Sequence, residues 1–537
     1  MKKLSISVLL LSALLSTAQT TKRPDNWFNL DPGTDKVNGV STEKTYNELL
    51  KNKKSTTVIV GVLDSGVDFD HEDLKSVMWT NPGEIAGNGI DDDKNGYIDD
   101  IHGWNFLGGK DGRNVSDDNL EMTRLVRKLK PKYEGKTAAD FSTKAEKEEL
   151  AFYEKVKEDY TKTKDKYESS YNQYSVVLSS LQAATKKIKE EQKVEKLTLV
   201  ELEKFNSSDK NELRGKAIAT NILKNSPDAN LDEVIESIKE GVEQYKSLVE
   251  YGLNMDFNPR SIVGDDYNNS SERYYGNADC NGPDSFHGTH VAGIIAAARK
   301  NGVGMDGIAA DVRIMAVRCV PGGDEHDKDV ANAIRYAVDN GASILNMSFG
   351  KRYAWDKKAV DDAVKYAESK GVLIIHAAGN DNANIDEVSN YPCKKFADGG
   401  SAKNFMDVGA LSWEPNEKIV AGFSNYGKKT VDIFSPGVDI YSTAPKNAYK
   451  DASGTSMASP VTAGVAAVLK SYYPTLSGEQ IKKILIKSSL KTYKGKKVIK
   501  PGTESELIKF EKLGGNAGVV NLYEAVKMAE TVVKSKM

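Results

Sequence analysis

Short apolar runs rich in β-branched residues recur along this chain: Val58–Leu63, Ile314–Val320, Ser343–Met347, Leu373–His376, Met406–Leu411 and Val431–Phe434. A strand with one wet face alternates apolar and polar residues, whereas a continuous apolar run is buried on both faces. Stretches of helical character separate the runs, at Thr289–Lys300, Asp327–Asn340, Trp355–Lys370 and Ser456–Tyr473. Buried strands alternating with helices specify parallel βαβ units. The predicted fold class is α/β: a doubly wound, mostly parallel sheet with helices on both faces.

Residues 115–255 break that pattern. Between Pro131 and Pro227 there is no proline, and glycine occurs only at Gly135 and Gly215. Opposite charges at helical spacing, such as Glu146 and Glu154 with Lys147 and Lys155, favour long exposed helices. Tyr153, Val156, Tyr160, Tyr167, Tyr171 and Tyr174 supply an apolar stripe. The stripe holds no strict heptad for long, which favours a helical hairpin packed on itself over a coiled-coil arm. The 537 residues therefore divide into a signal segment (1–18), a polar lead-in (19–54, with a short helix near Ser41–Leu50), and one α/β domain in two parts. Those parts are 55–114 and 256–533, with an all-α charged insertion, 115–255, between them.

Composition narrows the partners. Lys+Arg 74 against Asp+Glu 77 leave a net charge of −3, so no bulk basic field exists to hold nucleic acid or an anionic membrane. At the start, Met1-Lys2-Lys3 precedes an apolar run from Leu4 to Leu15 and then Ser16-Thr17-Ala18, the pattern of a signal peptide cleaved after Ala18. About a dozen apolar residues fall short of the ~20 that span a bilayer. An exported protein without a membrane anchor is expected, in the periplasm or outside the cell. Three cysteines cannot staple a chain of this size. Cys319 falls in an apolar strand, while Cys280 and Cys393 fall in loops and could pair in an oxidising compartment.

Four segments belong together chemically. Val60-Gly-Val-Leu-Asp64-Ser-Gly places a carboxylate at the carboxyl end of a buried strand, where sites in open α/β sheets lie. His287-Gly-Thr-His290-Val-Ala-Gly opens a helix, and Ile375-His376-Ala-Ala-Gly-Asn380 ends a strand in a primary amide. Ser453-Gly-Thr-Ser456-Met-Ala-Ser-Pro puts a serine at the start of an apolar helix. A neutral hydroxyl is a poor nucleophile, so acyl transfer by serine needs an imidazole to take its proton and a carboxylate to hold that imidazole. The backbone N–H of Ser456 and the amide of Asn380 are candidates for an oxyanion hole.

The four segments, in the order Asp…His…Ser, resemble the subtilisin-like serine proteases (subtilases, peptidase family S8). The resemblance covers roughly 55–110 and 256–530. It implies a serine endopeptidase acting on protein or peptide substrates through an acyl-enzyme, with no cofactor in the chemistry. Asp64 is implied as orienting acid, His287 as general base, Ser456 as nucleophile and Asn380 as oxyanion donor. It further implies that Ser348-Phe349-Gly350 and Ala377-Ala378-Gly379 line the specificity pocket and pair with substrate as extended strands. Two features depart from the family. Asp64 and His287 stand 223 residues apart, a gap that the insertion accounts for. The lead-in is too short for the usual inhibitory pro-domain, so the insertion is expected to shield the cleft or restrict substrates. A binding module derived from a protease would lack a catalytic residue, and none is lacking; a scaffold centred on the helices is the other alternative.

The loop Asp91-Asp-Asp93-Lys-Asn95-Gly96-Tyr97-Ile-Asp99 carries oxygen donors at positions 1, 3, 5 and 9 and glycine at 6, like the first part of an EF-hand loop. His102 stands where the final glutamate would be. Since subtilases commonly fix surface loops with calcium, a structural calcium held by Asp91, Asp93, Asn95, Tyr97 and Asp99 is expected. Among the other histidines, His290 reads as a packing residue, His376 as a core histidine, and His71, His102 and His326 as surface or loop residues.

Overall fold

A computed structural model describes residues 23–516 and 518–535; the signal segment 1–18 lies outside the described residues. Seven strands form the main sheet: β1 (Val58–Asp64), β2 (Gly103–Asn105), β3 (Val312–Arg318), β4 (Ile344–Met347), β5 (Leu373–Ala377), β6 (Phe405–Leu411) and β7 (Ile433–Pro436). Their spatial order is β2-β3-β1-β4-β5-β6-β7, and every pairing is parallel. The short edge strand β2 had no sequence signal, because three residues are too few to show a period.

The pleat explains the continuous apolar runs. Val58, Val60 and Val62 of β1 enter one core, together with Val291 and Ile294 of the helix Phe286–Ala296 and Val461 and Val465 of the helix Thr455–Tyr472. Ile59 and Leu63 face the other core, with Val330 and Ile334 of the helix Asp327–Asp339 and Val360 and Val364 of the helix Lys357–Ser369. Helices thus cover both faces, as a parallel sheet requires.

The first of these helices begins and ends earlier than the predicted Thr289–Lys300. It stops at Ala296 because the carbonyls of Ile294 and Ile295 accept N–H groups from Ile308 (3.1 Å) and Ala309 (2.9 Å). Its small residues admit a hairpin, β8 (Ile440–Ala444) with β9 (Ala448–Ala452). The hydroxyls of Thr443 and Ser442 donate to the carbonyls of Thr289 (2.7 Å) and His290 (2.8 Å). A Cβ on Gly293 would lie 2.2 Å from Thr443 Oγ1, so only glycine allows the approach.

The lead-in is part of the core. Trp27, Phe28, Val40 and Leu50 are buried in the first cluster, and Trp27 Nε1 donates to the Asp439 carbonyl (3.1 Å).

The insertion forms a separate compact unit, Met122–Phe257. Its spine is one helix, Lys144–Gln192, opened by a reciprocal capping box between Thr143 and Glu146. It is more than a hairpin: the spine packs on two successive helices, Lys210–Asn225 and Leu231–Ser247. Leu181, Ala184 and Ile188 make a core with Ala219, Ile222 and Leu223. Gly215 lets the helices cross closely, since a Cβ there would lie 1.9 Å from the Ser180 carbonyl oxygen. Tyr167 and Tyr174 of the predicted stripe meet Tyr245, with ring centroids 5.8 and 5.6 Å away. Among the described residues, no helix is long and apolar enough to cross a membrane.

Candidate active site

Asp64 is the last residue of β1, in register with Arg318 on β3. It is 1% exposed, and its Oδ1 accepts the backbone N–H of Ser65 (2.8 Å) and a bond from His287 Nδ1 (2.7 Å). A carboxylate only accepts, so Nδ1 carries the hydrogen and the neutral imidazole keeps its lone pair on Nε2. The His287 side chain is 36% exposed, so that nitrogen is reachable from solvent. Burial alone would lower its pKa. The charge and hydrogen bond of Asp64 more than offset this, holding the imidazole above its ordinary value.

Ser456 is the second residue of the helix Thr455–Tyr472 and is half-buried. Pro460 lies in the same helix and has no N–H for the carbonyl four residues earlier, which is that of Ser456. Ser348 Oγ supplies the missing donor, at 2.9 Å. Ser456 Oγ in turn donates to the Ser348 carbonyl (3.0 Å) rather than to His287. Catalytic hydrogen bonds in unliganded sites are often unformed until substrate binds.

Asn380 follows β5 and is exposed. Its Oδ1 accepts both the N–H and the hydroxyl of Thr455, each at 2.9 Å, which fixes the amide with Nδ2 turned away from Thr455. A Cβ built on Gly454 would lie 3.4 Å from Asn380 Nδ2 and 3.5 Å from the Ser456 backbone nitrogen. Neither donor has an acceptor among the described residues. The absent side chain of Gly454 therefore leaves a space faced by two free N–H groups.

Asn425, to which nothing in the sequence drew attention, holds the Asn380 segment. Its Nδ2 donates to the Ala378 carbonyl (2.9 Å), and its Oδ1 accepts the N–H groups of Asp381 (3.0 Å) and Ala383 (2.9 Å). Its own N–H donates to the Gly379 carbonyl (2.8 Å). Gly379 has φ +98°, and a Cβ there would strike Asn425 Nδ2 at 2.4 Å.

The two segments expected to pair with substrate differ. Ala378 donates to Val408 and its carbonyl accepts Asn390 and Asn425, while the N–H of Gly379 donates to Thr455 Oγ1 (3.0 Å). The backbone groups of Ala378 and Gly379 are thus engaged within the protein. Phe349 and Gly350 keep backbone N–H and C=O groups without partners among the described residues. A cleft of about 300 Å³ beside His287 is lined by Ser348 and Phe349, with Asp64, Asp284, Arg318 and Val320.

In the acidic loop, several of the expected oxygen donors already accept backbone N–H groups. Asp91 accepts the N–H groups of Asn95 (3.0 Å) and Gly96 (2.8 Å), and Asp99 those of Gly87, Asn88 and Gly89. Asn95 Oδ1 accepts the N–H of Tyr97 (2.8 Å), whose ring is buried against Trp104 and Tyr336. Of the five expected ligands, only Asp93 joins a carboxylate cluster, with Glu84 and Asp100 as partners.

His376 is fully buried and paired with Asp407 (2.9 Å). His290 is buried, its Nε2 against the Lys450 carbonyl (3.0 Å), and burial brings its pKa down to about 4. His71 and His326 lie in loops but are buried: His71 Nδ1 accepts the Asp73 N–H (3.1 Å), and His326 Nε2 faces Asp118 Oδ2 (2.7 Å). All three cysteines are free thiols, so Cys280 and Cys393 do not pair; burial pushes Cys280 up to about 12.

The Asp64–His287 pair has a signed consequence. By NMR, His287 should titrate above the ordinary imidazole value of about 6.5, and Asp64→Asn should lower that midpoint. Because the folded value is the higher one, the pair's stabilisation is complete at low pH and is lost as pH rises through it. A His287 midpoint at or below the ordinary value would contradict the charge pairing.

The profile of the Subtilase family matches residues 55–521. Subtilisin DY of Bacillus licheniformis is 34% identical over 237 residues, 44% of this chain and 79% of that protein. Thermitase of Thermoactinomyces vulgaris is 39% identical over 186 residues, 34% of this chain and 61% of its own length. A thermophilic serine proteinase of Bacillus sp. (strain AK1) is 42% identical over 187 residues, 34% of this chain and 42% of its own length. The chain thus spans under half of that last relative and most of Subtilisin DY. With the family profile covering most of its length, this chain belongs to the subtilase family.

Proposed function

We propose that the protein is an exported serine endopeptidase that cleaves peptide bonds through an acyl-enzyme. The observation that carries this reading is the space beside Gly454, faced by Asn380 Nδ2 and the Ser456 N–H. A carbonyl oxygen gains negative charge as it becomes tetrahedral, and two fixed donors at that point favour the charged form. Substrate pairs with the free backbone groups of Phe349 and Gly350, and the Ser456 hydroxyl turns from the Ser348 carbonyl towards His287 Nε2. His287 takes the proton as Ser456 Oγ bonds to the carbonyl carbon. The imidazolium, stabilised by Asp64, then gives the proton to the leaving amine. Water repeats the sequence to release the acid.

A fluorophosphonate probe should label Ser456 in the wild-type protein and not in Ser456→Ala. The labelled protein should begin at Gln19 and appear in the periplasm or medium. Asn380→Leu should lower kcat about 10²–10³-fold. Gly454→Ala, which fills the space without a clash, should lower kcat at unchanged Tm. Full activity in both variants would remove the oxyanion assignment.

We also propose that a structural calcium binds the acidic loop. The support is the oxygen-rich spacing from Asp91 to Asp99 together with the convergent carboxylates of Glu84, Asp93 and Asp100, a donor set suited to a hard cation. Chelation should lower the Tm of the purified protein. Unchanged melting, with no calcium by elemental analysis, rejects the site.

The insertion, finally, is proposed to restrict which substrates reach the cleft. It has its own core, and its ends are joined: Thr123 Oγ1 donates to the Gly252 carbonyl (2.8 Å) and Arg127 to that of Phe257 (2.8 Å). Removing Met122–Phe257 and bridging the ends with a short linker should raise cleavage of folded proteins and leave that of short peptides unchanged. Equal activity on both substrate types, before and after deletion, would exclude this role.

A further inference from the structure

Immediately after the segment Ser348–Gly350, the chain places a lysine in the interior. The Lys351 side chain is 1% exposed. Its Nζ donates to Glu121 Oε2 (2.5 Å) and the Glu325 carbonyl (2.6 Å), and lies 2.8 Å from Asp327 Oδ1. The Glu121 and Asp327 side chains are themselves 0% and 5% exposed. The backbone of Lys351 is held as well, exchanging two hydrogen bonds of 2.8 Å with Tyr391. At the other end of the segment, Ser348 exchanges hydrogen bonds with Ser456.

A buried ion pair gains little over an apolar core of equal volume, because both charges are desolvated. What it does supply is direction. An ammonium with three acceptors has one position, whereas a leucine in the same place could slide. Glu121 is also the residue from which the inserted chain departs, and its N–H donates to Asp324 Oδ2 (2.7 Å). The cluster therefore joins the root of the insertion, the loop before the helix Asp327–Asp339 and the free edge of Phe349 and Gly350.

We propose that Lys351 is a positioning residue: anchored on Glu121 and Asp327, it sets where the free backbone groups of Phe349 and Gly350 lie and so the register at which a substrate chain pairs with them. The inference rests on the endopeptidase reading above. A substrate long enough to lie along this edge depends on Lys351, whereas a single-residue ester, which meets only the reacting centre, does not.

The test compares wild type with Lys351→Met/Glu121→Gln, a pair of changes that removes the cation without leaving the Glu121 charge buried. Kinetics are read on a four-residue peptide anilide and a single-residue ester, with fluorophosphonate labelling and Tm alongside. KM for the peptide should rise about tenfold, the loss of one to two backbone hydrogen bonds. The peptide kcat, the ester KM and the labelling rate should stay within about twofold. Glu121→Asp keeps the charge, draws the anchor back by one methylene, and should raise the peptide KM in the same direction by less. Equal losses on peptide and ester would show general damage and overturn the proposal, as would an unchanged peptide KM in either variant. No labelling of Ser456 in the wild-type protein would instead overturn the endopeptidase reading, so the two failures are distinct.

Discussion

The parallel pairing of β1 between β3 and β4 fixes everything else in the larger unit. A parallel strand has no wet face, so Val58, Val60 and Val62 commit one set of helices and Ile59 and Leu63 commit another. Parallel direction also brings the carboxyl ends of β1, β4 and β5 to one edge. Asp64, Ser348 and Asn380 leave the sheet there, while the helices that begin at that edge carry His287 and Ser456 in their first turns. Burial at the strand end then matters electrostatically. With little water to screen it, the Asp64 carboxylate acts on His287 at close range.

Around this edge, side chains take up several backbone groups that regular structure leaves without partners. Pro460 removes a donor that Ser456 would have used, and Ser348 restores it. Asn425 takes up the amide groups of a loop that has left its strand. Thr455 saturates one end of the Asn380 amide. Each of these bonds is worth only about 1 kcal/mol. Collectively, they leave few free donors at the edge, and two of those face one point.

The sheet and the four chemical segments were legible because they rest on local patterns: continuous apolar runs, a carboxylate ending a strand, a serine opening a helix. Asn425 and Lys351 were not, since their roles depend on which backbone groups lie beside them, and those come from distant parts of the chain. The acidic loop shows the same limit. Spacing identified oxygen donors but could not tell which ones local N–H groups would claim, nor that Glu84 and Asp100 would turn towards Asp93. The lead-in reads only as polar, because its composition hides Trp27 and Phe28, which reach the core. In the insertion, the tyrosine stripe was visible, but its partner Tyr245 lies on a helix far along the sequence.

The bonds from Thr123 to Gly252 and from Arg127 to Phe257 have an entropic meaning. A long flexible excursion between two strands would have to be closed at every folding event, and that cost grows with the logarithm of loop length. Because the excursion folds on its own core and ties its own ends, the sheet sees only a short connection between Glu121 and Asn258. The insertion thus lengthens the sequence between β1 and β3 far more than it lengthens the loop that their pairing has to close.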